Sequence, residues 1–300
     1  MKFGVHAGLW MKAWQDDPLP ILDIAADLGF DGVELSLLGI GMDRASGIGK
    51  AAAARGLDLT CSTGLGAEAD PTSPQVAVRE RAVAVLTEAV EITAALGARS
   101  LAGVVAAPWG VFAPGDSDRA DRSARTLARI EPVLAQNGVT LGIEAVNRFE
   151  TDLTSTAADA TAIARATGAA HVGVLLDTFH MNIEEKDPAA AIRATGDALV
   201  HFHVSDNDRG VPGSGHFDFE HCATALSDIG YDGWITGRKR FQSGTRAALD
   251  FFEVEDFTGR IKVNPLAHWA PEDVRSYMEE NRLPRHPLVA QGYPSIGCAP

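Results

Sequence analysis

Glu144, Asp177 and His203 stand at or near the ends of three successive apolar runs, LGIE, HVGVLLD and ALVHFHV. They are spaced at roughly 30 residues, about one strand-plus-helix unit. Side chains at the ends of three consecutive parallel strands converge on one rim of a barrel. Two carboxylates and an imidazole make a hard, mostly oxygen donor set, suited to Mn²⁺, Co²⁺ or Mg²⁺ better than to structural zinc. Each residue alone has a plainer reading, since a strand-end Asp commonly caps a helix and a strand-end His is commonly a hydrogen-bonded rim residue. Three together point to a divalent metal. A second carboxylate, Glu150, follows in the polar loop after Glu144. In VHFHV, His201 and His203 share one strand face, while Val200, Phe202 and Val204 share the other.

The elements that must position these groups are short β-prone runs alternating with helical patterns. Strands are expected at 2–7, 32–37, 57–62, 100–105, up to Glu144, up to Asp177, up to about Val204, and at 233–236. Helices are expected after Pro18 and Pro20, through the Ala-rich stretch to Arg55, from Ser73-Pro74, over about 117–135, 155–166, 188–195 and 219–228. Eight strands alternating with helices predict an α/β fold, a parallel (β/α)8 TIM barrel, rather than an open sheet. Its 300 residues exceed the roughly 250 of a typical barrel.

A net charge of −14 argues against a nucleic-acid binder. No apolar run reaches the roughly 18 residues of a membrane span. MKFGVHAGLW lacks the apolar core of a signal peptide, and three scattered cysteines imply no disulfide framework, so the expected compartment is the cytoplasm. The charge is uneven. Residues 235–300 carry nine Lys/Arg against eight Asp/Glu, a net of +1, and six of the fifteen prolines. The preceding residues are therefore strongly acidic.

Residues 1–234 resemble the ketose 3-epimerases of the xylose-isomerase-like barrel superfamily, the D-tagatose and D-psicose 3-epimerases. IEAVNRFE, LLDTFHMNIEE, HFHVSDNDR and YDGW carry the likeness, with GFDGVELSL in support. The resemblance implies that Glu144, Asp177 and His203 bind Mn²⁺ (or Co²⁺/Mg²⁺) and that Glu144 is also one of two acid/base glutamates. It implies that Glu150, His180 and Arg209 hold the hydroxyls of a small ketose. His6, Trp14 and Trp109 are further candidates for the pocket lining. The implied reaction removes the C3 proton to give an enediolate and returns one from the opposite face, which takes two carboxylates. Family members commonly assemble as dimers or tetramers, so the resemblance makes a homo-oligomer possible, with an altered C-terminus that could remove or block the interface as the alternative.

The likeness stops at the eighth strand. The family's second glutamate follows YDGW in a segment I-x-x-E-x-F, and here Arg238 holds its place. A guanidinium neither gives up its proton nor binds a cation. The expected fold is therefore seven complete units, an altered eighth strand and helix, and a foreign tail. Residues 235–300 are similar instead to the C-terminal part of phosphoadenylyl- or adenylyl-sulfate reductases, through NPLAHW and GYPSIGCAP. That likeness implies anion binding by Arg238, Lys239, Arg240, Gln242 and Arg246. Cys298 matches the first cysteine of an iron–sulfur motif, but with about four thiolates needed, no cluster is expected. The chain reads as a hybrid joined near Trp234-Ile235. Glu253 and Glu255 are weak substitutes for the missing base, and Gly244–Phe252 and Pro271–Asn281 are the candidates for an eighth helix. The functional expectation is an impaired metal-dependent ketose 3-epimerase. The alternatives are a catalytically inactive barrel that still binds metal and sugar, or a sulfonucleotide-binding fragment.

Overall fold

The computed structural model describes residues 2–237 and the backbone of 252–254 and 261–263. Eight parallel strands close a barrel in sequence order: β1 (Lys2–His6), β2 (Gly32–Ser36), β3 (Asp58–Gly64), β4 (Ser100–Val104), β5 (Thr140–Glu144), β6 (Val172–Asp177), β7 (Leu199–Val204) and β8 (Trp234–Gly237). The connecting helices are α1 (Leu19–Asp27), α2 (Met42–Ala53), α3 (Val76–Ala95), α4 (Arg119–Ala128), α5 (Glu131–Asn137), α6 (Ala157–Ala166), α7 (Thr178–Glu184), α8 (Pro188–Thr195) and α9 (Phe219–Asp228). No helix among the described residues is long and apolar enough to cross a membrane.

Parallel strands are covered on both faces, which is why these runs are apolar almost throughout. All five residues of β2 are buried. One continuous core includes Leu35, Leu101, Leu141, Ile143, Leu176 and Phe202. Cys61 and Cys222 belong to it, and burial pushes both thiols up to about 12, as befits packing groups rather than nucleophiles.

Local chemistry sets the helix ends. Thr156 and Asp159 form a capping box at the start of α6. Pro188 opens α8 behind the capping carboxylate of Asp187. The single helix expected over about 117–135 is two, α4 and α5, because Pro132 has no N–H and its ring would strike the carbonyl of Ala128. Helix α7 was not expected. It begins directly after Asp177, whose carboxylate accepts a hydrogen bond from the backbone N–H of Phe179 at 2.8 Å.

Strand β8 forms, as its β-prone residues predict, and seals the barrel between β7 and β1. Thr236 stands beside His203 on one side and Gly4 on the other. The ring of Trp234 packs over two glycines. A Cβ on Gly32 would lie 2.7 Å from that ring and 2.5 Å from the Asp58 carbonyl, and one on Gly4 would lie 3.3 Å from the ring. The Tyr231 hydroxyl donates to the Trp234 carbonyl at 2.7 Å.

The chain divides into two compact units, Met1–Phe241 and Gln242–Pro300. In the second, Phe252–Val254 and Ile261–Val263 pair as antiparallel strands β9 and β10. Phe252 and Glu253 are therefore extended, so the helix expected to reach Phe252 does not include it; extended backbone suits the β-prone FFEV sequence. The rest of that expected helix, the one at 271–281, and the candidates Arg238, Lys239, Arg240, Gln242, Arg246, Glu255 and Cys298 lie outside the described residues.

Candidate active site

Register brings the strand-end residues side by side. Asp177 of β6 is paired with His203 of β7, and Glu144 of β5 with Leu175 of β6. Glu144, Asp177 and His203 are all buried. The Nδ1 atom of His203 lies 3.8 Å from Oδ2 of Asp177 and 4.0 Å from Oε1 of Glu144. Asp177 serves two ends at once: Oδ1 caps α7 while Oδ2 faces the site.

Both distances lie within the span of ligands that share one divalent cation. Two ligands of an ion at about 2.1 Å lie at most about 4.2 Å apart, and both separations from His203 are below that limit. His180 is a further candidate donor, since it, Glu144 and Asp177 each present an atom within 4.8 Å of the other two. The Nε2 of His180 lies 3.8 Å from Oε1 of Glu144, while its Nδ1 is held by Asn147. That Nδ1 accepts from the Asn147 backbone N–H at 3.0 Å and lies 2.8 Å from the Asn147 side-chain nitrogen.

The sugar-holding candidates stand beside this group. Glu150 accepts from Trp109 Nε1 at 2.8 Å and from Asn147 Nδ2 at 2.9 Å. Burial alone would raise its pKa, but His180, the Asn147 hydrogen bond and Arg209 outweigh that and hold it lowered. Burial pushes the His180 imidazole down, against the pull of Asp177 and Glu144. An Arg209 Nη is 3.0 Å from His180 Nε2, and the other is 3.6 Å from Asp177. Arg209 is the only non-glycine with positive φ among the described residues (64°). Its loop is gathered by Asp206, whose carboxylate accepts backbone N–H groups of Asn207, Gly213, Gly215 and Phe217.

A cavity of about 570 Å³ opens above the strand ends, lined by Glu144, Glu150, His180, Arg209, His6, Trp14 and Trp109 among others. Its size suits a small sugar. His6 is buried, with its ring edge-on to Trp14 at 5.8 Å, and Trp109 is half exposed at the mouth. Sequence reasoning missed two polar residues that organise this region. Asn147 ties Glu150 to His180. Glu34, buried at mid-strand in β2, ties His203 to His201. Complete burial would raise the Glu34 pKa, yet His203 and the hydrogen bonds from both histidines hold it well below the usual carboxylate value. The available signal was a lone carboxylate within the apolar run GVEL.

Residues 22–281 match the model of the xylose isomerase-like TIM barrel. The chain belongs to that family. Within it, the chain is 36% identical to an L-ribulose 3-epimerase of Mesorhizobium japonicum over 232 residues, 77% of this chain and 78% of that protein. The crystal structure of a D-psicose 3-epimerase in the presence of D-fructose superposes on this barrel with a TM-score of 0.77 at 31% identity. The overlap covers 81% of this chain and 86% of that one. This member of the xylose isomerase-like family thus has ketose 3-epimerase ancestry. It also shares 46% identity over 71 residues with an adenosine 5′-phosphosulfate reductase of Rhodococcus opacus, 24% of this chain and 29% of the reductase.

Proposed function

We propose that this barrel is a divalent-metal-dependent sugar 3-epimerase of the ketose class, holding one of the two carboxylates that inversion needs. The observation that carries the reading is the convergence of Glu144, Asp177 and His203 at one rim, beside a cavity that Glu150, His180 and Arg209 also line. Glu144, Asp177 and His203 are assigned to Mn²⁺, with Co²⁺ or Mg²⁺ as substitutes. Once bound, the ion supplies an electrophile for the oxygens flanking C3 and makes that C–H more acidic. The carboxylate of Glu144 takes the C3 proton on its own face. Glu150 and His180 orient hydroxyls, and the Arg209 guanidinium adds donors to sugar oxygens. D-Fructose and L-ribulose are the first substrates to test, from the relatives' chemistry, with D-tagatose alongside.

Inversion at C3 requires a proton from the opposite face. The family pattern puts a glutamate there, and in this chain the position is Arg238, which cannot exchange a proton. Glu144 can return hydrogen only to the face from which it took it. In D₂O with Mn²⁺, the C3 hydrogen of the ketose should therefore exchange faster than the sugar epimerises. Inversion at an ordinary enzyme rate of about 1–10³ s⁻¹ would overturn the missing-base argument. Absence of both exchange and metal uptake would overturn the epimerase reading itself. The reductase likeness supports a second proposal, that the chain from about residue 235 is of sulfonucleotide-reductase origin, its first residues, Ile235–Gly237, completing β8 of the barrel.

A further inference from the structure

We propose that Glu34 is a positioning residue that orients His203, fixing Nδ1 as the atom His203 turns to the rim. Glu34 lies in the middle of β2, on the far side of the barrel interior from the β5–β6 rim, and none of the site roles assigned above falls on it. Its Oε2 is 2.9 Å from Nε2 of His203 and 2.9 Å from Nε2 of His201. All three side chains are at most 1% exposed. A carboxylate only accepts, so at this distance the imidazole must carry its proton on Nε2. Nδ1 of His203 is then the nitrogen turned toward Asp177 and Glu144.

The second histidine makes the arrangement stiff. His201 has its Nδ1 at 3.3 Å from the Ser100 hydroxyl and its Nε2 at 3.2 Å from that of Thr236. Both are hydroxyls, Thr236 on the adjacent β8 and Ser100 on β4, able to donate or accept as His201 requires. Glu34 is thereby fixed from β2, β4, β7 and β8, and cannot follow His203 if that ring rotates. A histidine that binds metal through one nitrogen is ordinarily oriented by a carboxylate on the other, and losing such a partner typically weakens metal binding about 10–100-fold. Burying a carboxylate in a barrel interior is costly unless it is hydrogen-bonded. Its place opposite a candidate ligand gives that cost a function.

This assignment rests on the metal-dependent reading above, and the test separates the two. The full chain, labelled with ¹⁵N in its histidine rings and free of metal, reports which nitrogen of neutral His203 holds the proton; the signals missing from spectra of a His203→Asn variant assign it. The proton is expected on Nε2. In Glu34→Gln, folded by circular dichroism, that preference should be lost and Mn²⁺ affinity measured by calorimetry should fall about 10–100-fold. If Glu34→Gln does not fold, Glu34→Asp keeps the charge but withdraws it by one methylene, and should weaken Mn²⁺ binding in the same direction. A wild-type His203 carrying its proton on Nδ1 overturns the inference without any variant, as does unchanged Mn²⁺ affinity in a folded Glu34 variant. A wild type with the proton on Nε2 that takes up no Mn²⁺ leaves Glu34 in its role and overturns the metal reading instead.

Discussion

The guanidinium carbon of Arg209 lies 4.0 Å from the centroid of the Phe179 ring, on a backbone held at a φ of 64°. The aromatic face supports the charge while the loop aims it at His180 and Asp177. A non-glycine in the left-handed region costs of order 1 kcal/mol. Arg209→Gly removes that strain, so its thermal midpoint should equal or exceed that of the wild type. Ketose binding by calorimetry should nonetheless be lost. A variant that melts well below the wild type would show that Arg209 supports the fold.

Asp177 divides its two oxygens between structure and site, and the division can be read in one substitution. Asparagine caps helices about as well as aspartate, so Asp177→Asn should stay within about 1 kcal/mol of the wild type without metal. Mn²⁺ at 100 times its dissociation constant should stabilise the wild type by about 2.7 kcal/mol and the variant far less. Denaturant titrations with and without Mn²⁺ measure both quantities. Equal stabilisation of the two proteins would remove Asp177 from the ligand set.

Asp206 makes the Arg209 loop acid-sensitive. Burial would raise its pKa, but the N–H groups of Gly215, Asn207, Phe217 and Gly213 hold it lowered. A depressed carboxylate contributes stability above its unfolded pKa of about 3.9, and that contribution is lost as pH falls through the lower folded value. Asp206→Asn should therefore be less stable than the wild type at pH 7, with the gap closing below about pH 3.9. Urea unfolding along a pH series checks the convergence, and a gap that stays constant would assign the loss to geometry.

The missing-base proposal turns on Arg238. Arg238→Glu should tighten Mn²⁺ binding by replacing a repelling charge with a carboxylate, and should raise the epimerisation rate at C3 relative to the rate of C3 exchange. Calorimetry and chromatography of the epimeric sugars follow the two effects. Unchanged Mn²⁺ affinity would place residue 238 away from the metal.

Much of the fold was readable because it repeats. Strand ends recur at even spacing, so Glu144, Asp177 and His203 could be aligned before any contact was known, and the structure brings their donor atoms within about 4 Å of His203. Glu150, His180 and Arg209 were found through motif likeness and His6, Trp14 and Trp109 as candidates for the lining, and all six line one cavity. Features set by tertiary contact were not readable. Glu34 meets His203 across 169 residues; the apolar run around it signals burial, but not which partner it meets. The break at Pro132 and the short α7 depend on backbone hydrogen-bonding details that apolar periodicity does not register.

Trp234 is the first residue of the last stave, and it keys that stave into a slot left open by Gly4 and Gly32. Three further residues then need only extended backbone to reach both neighbours. A seam of this kind separates shape from chemistry. The residues that close the ring, Trp234 with Gly4 and Gly32, are not among those assigned to the rim.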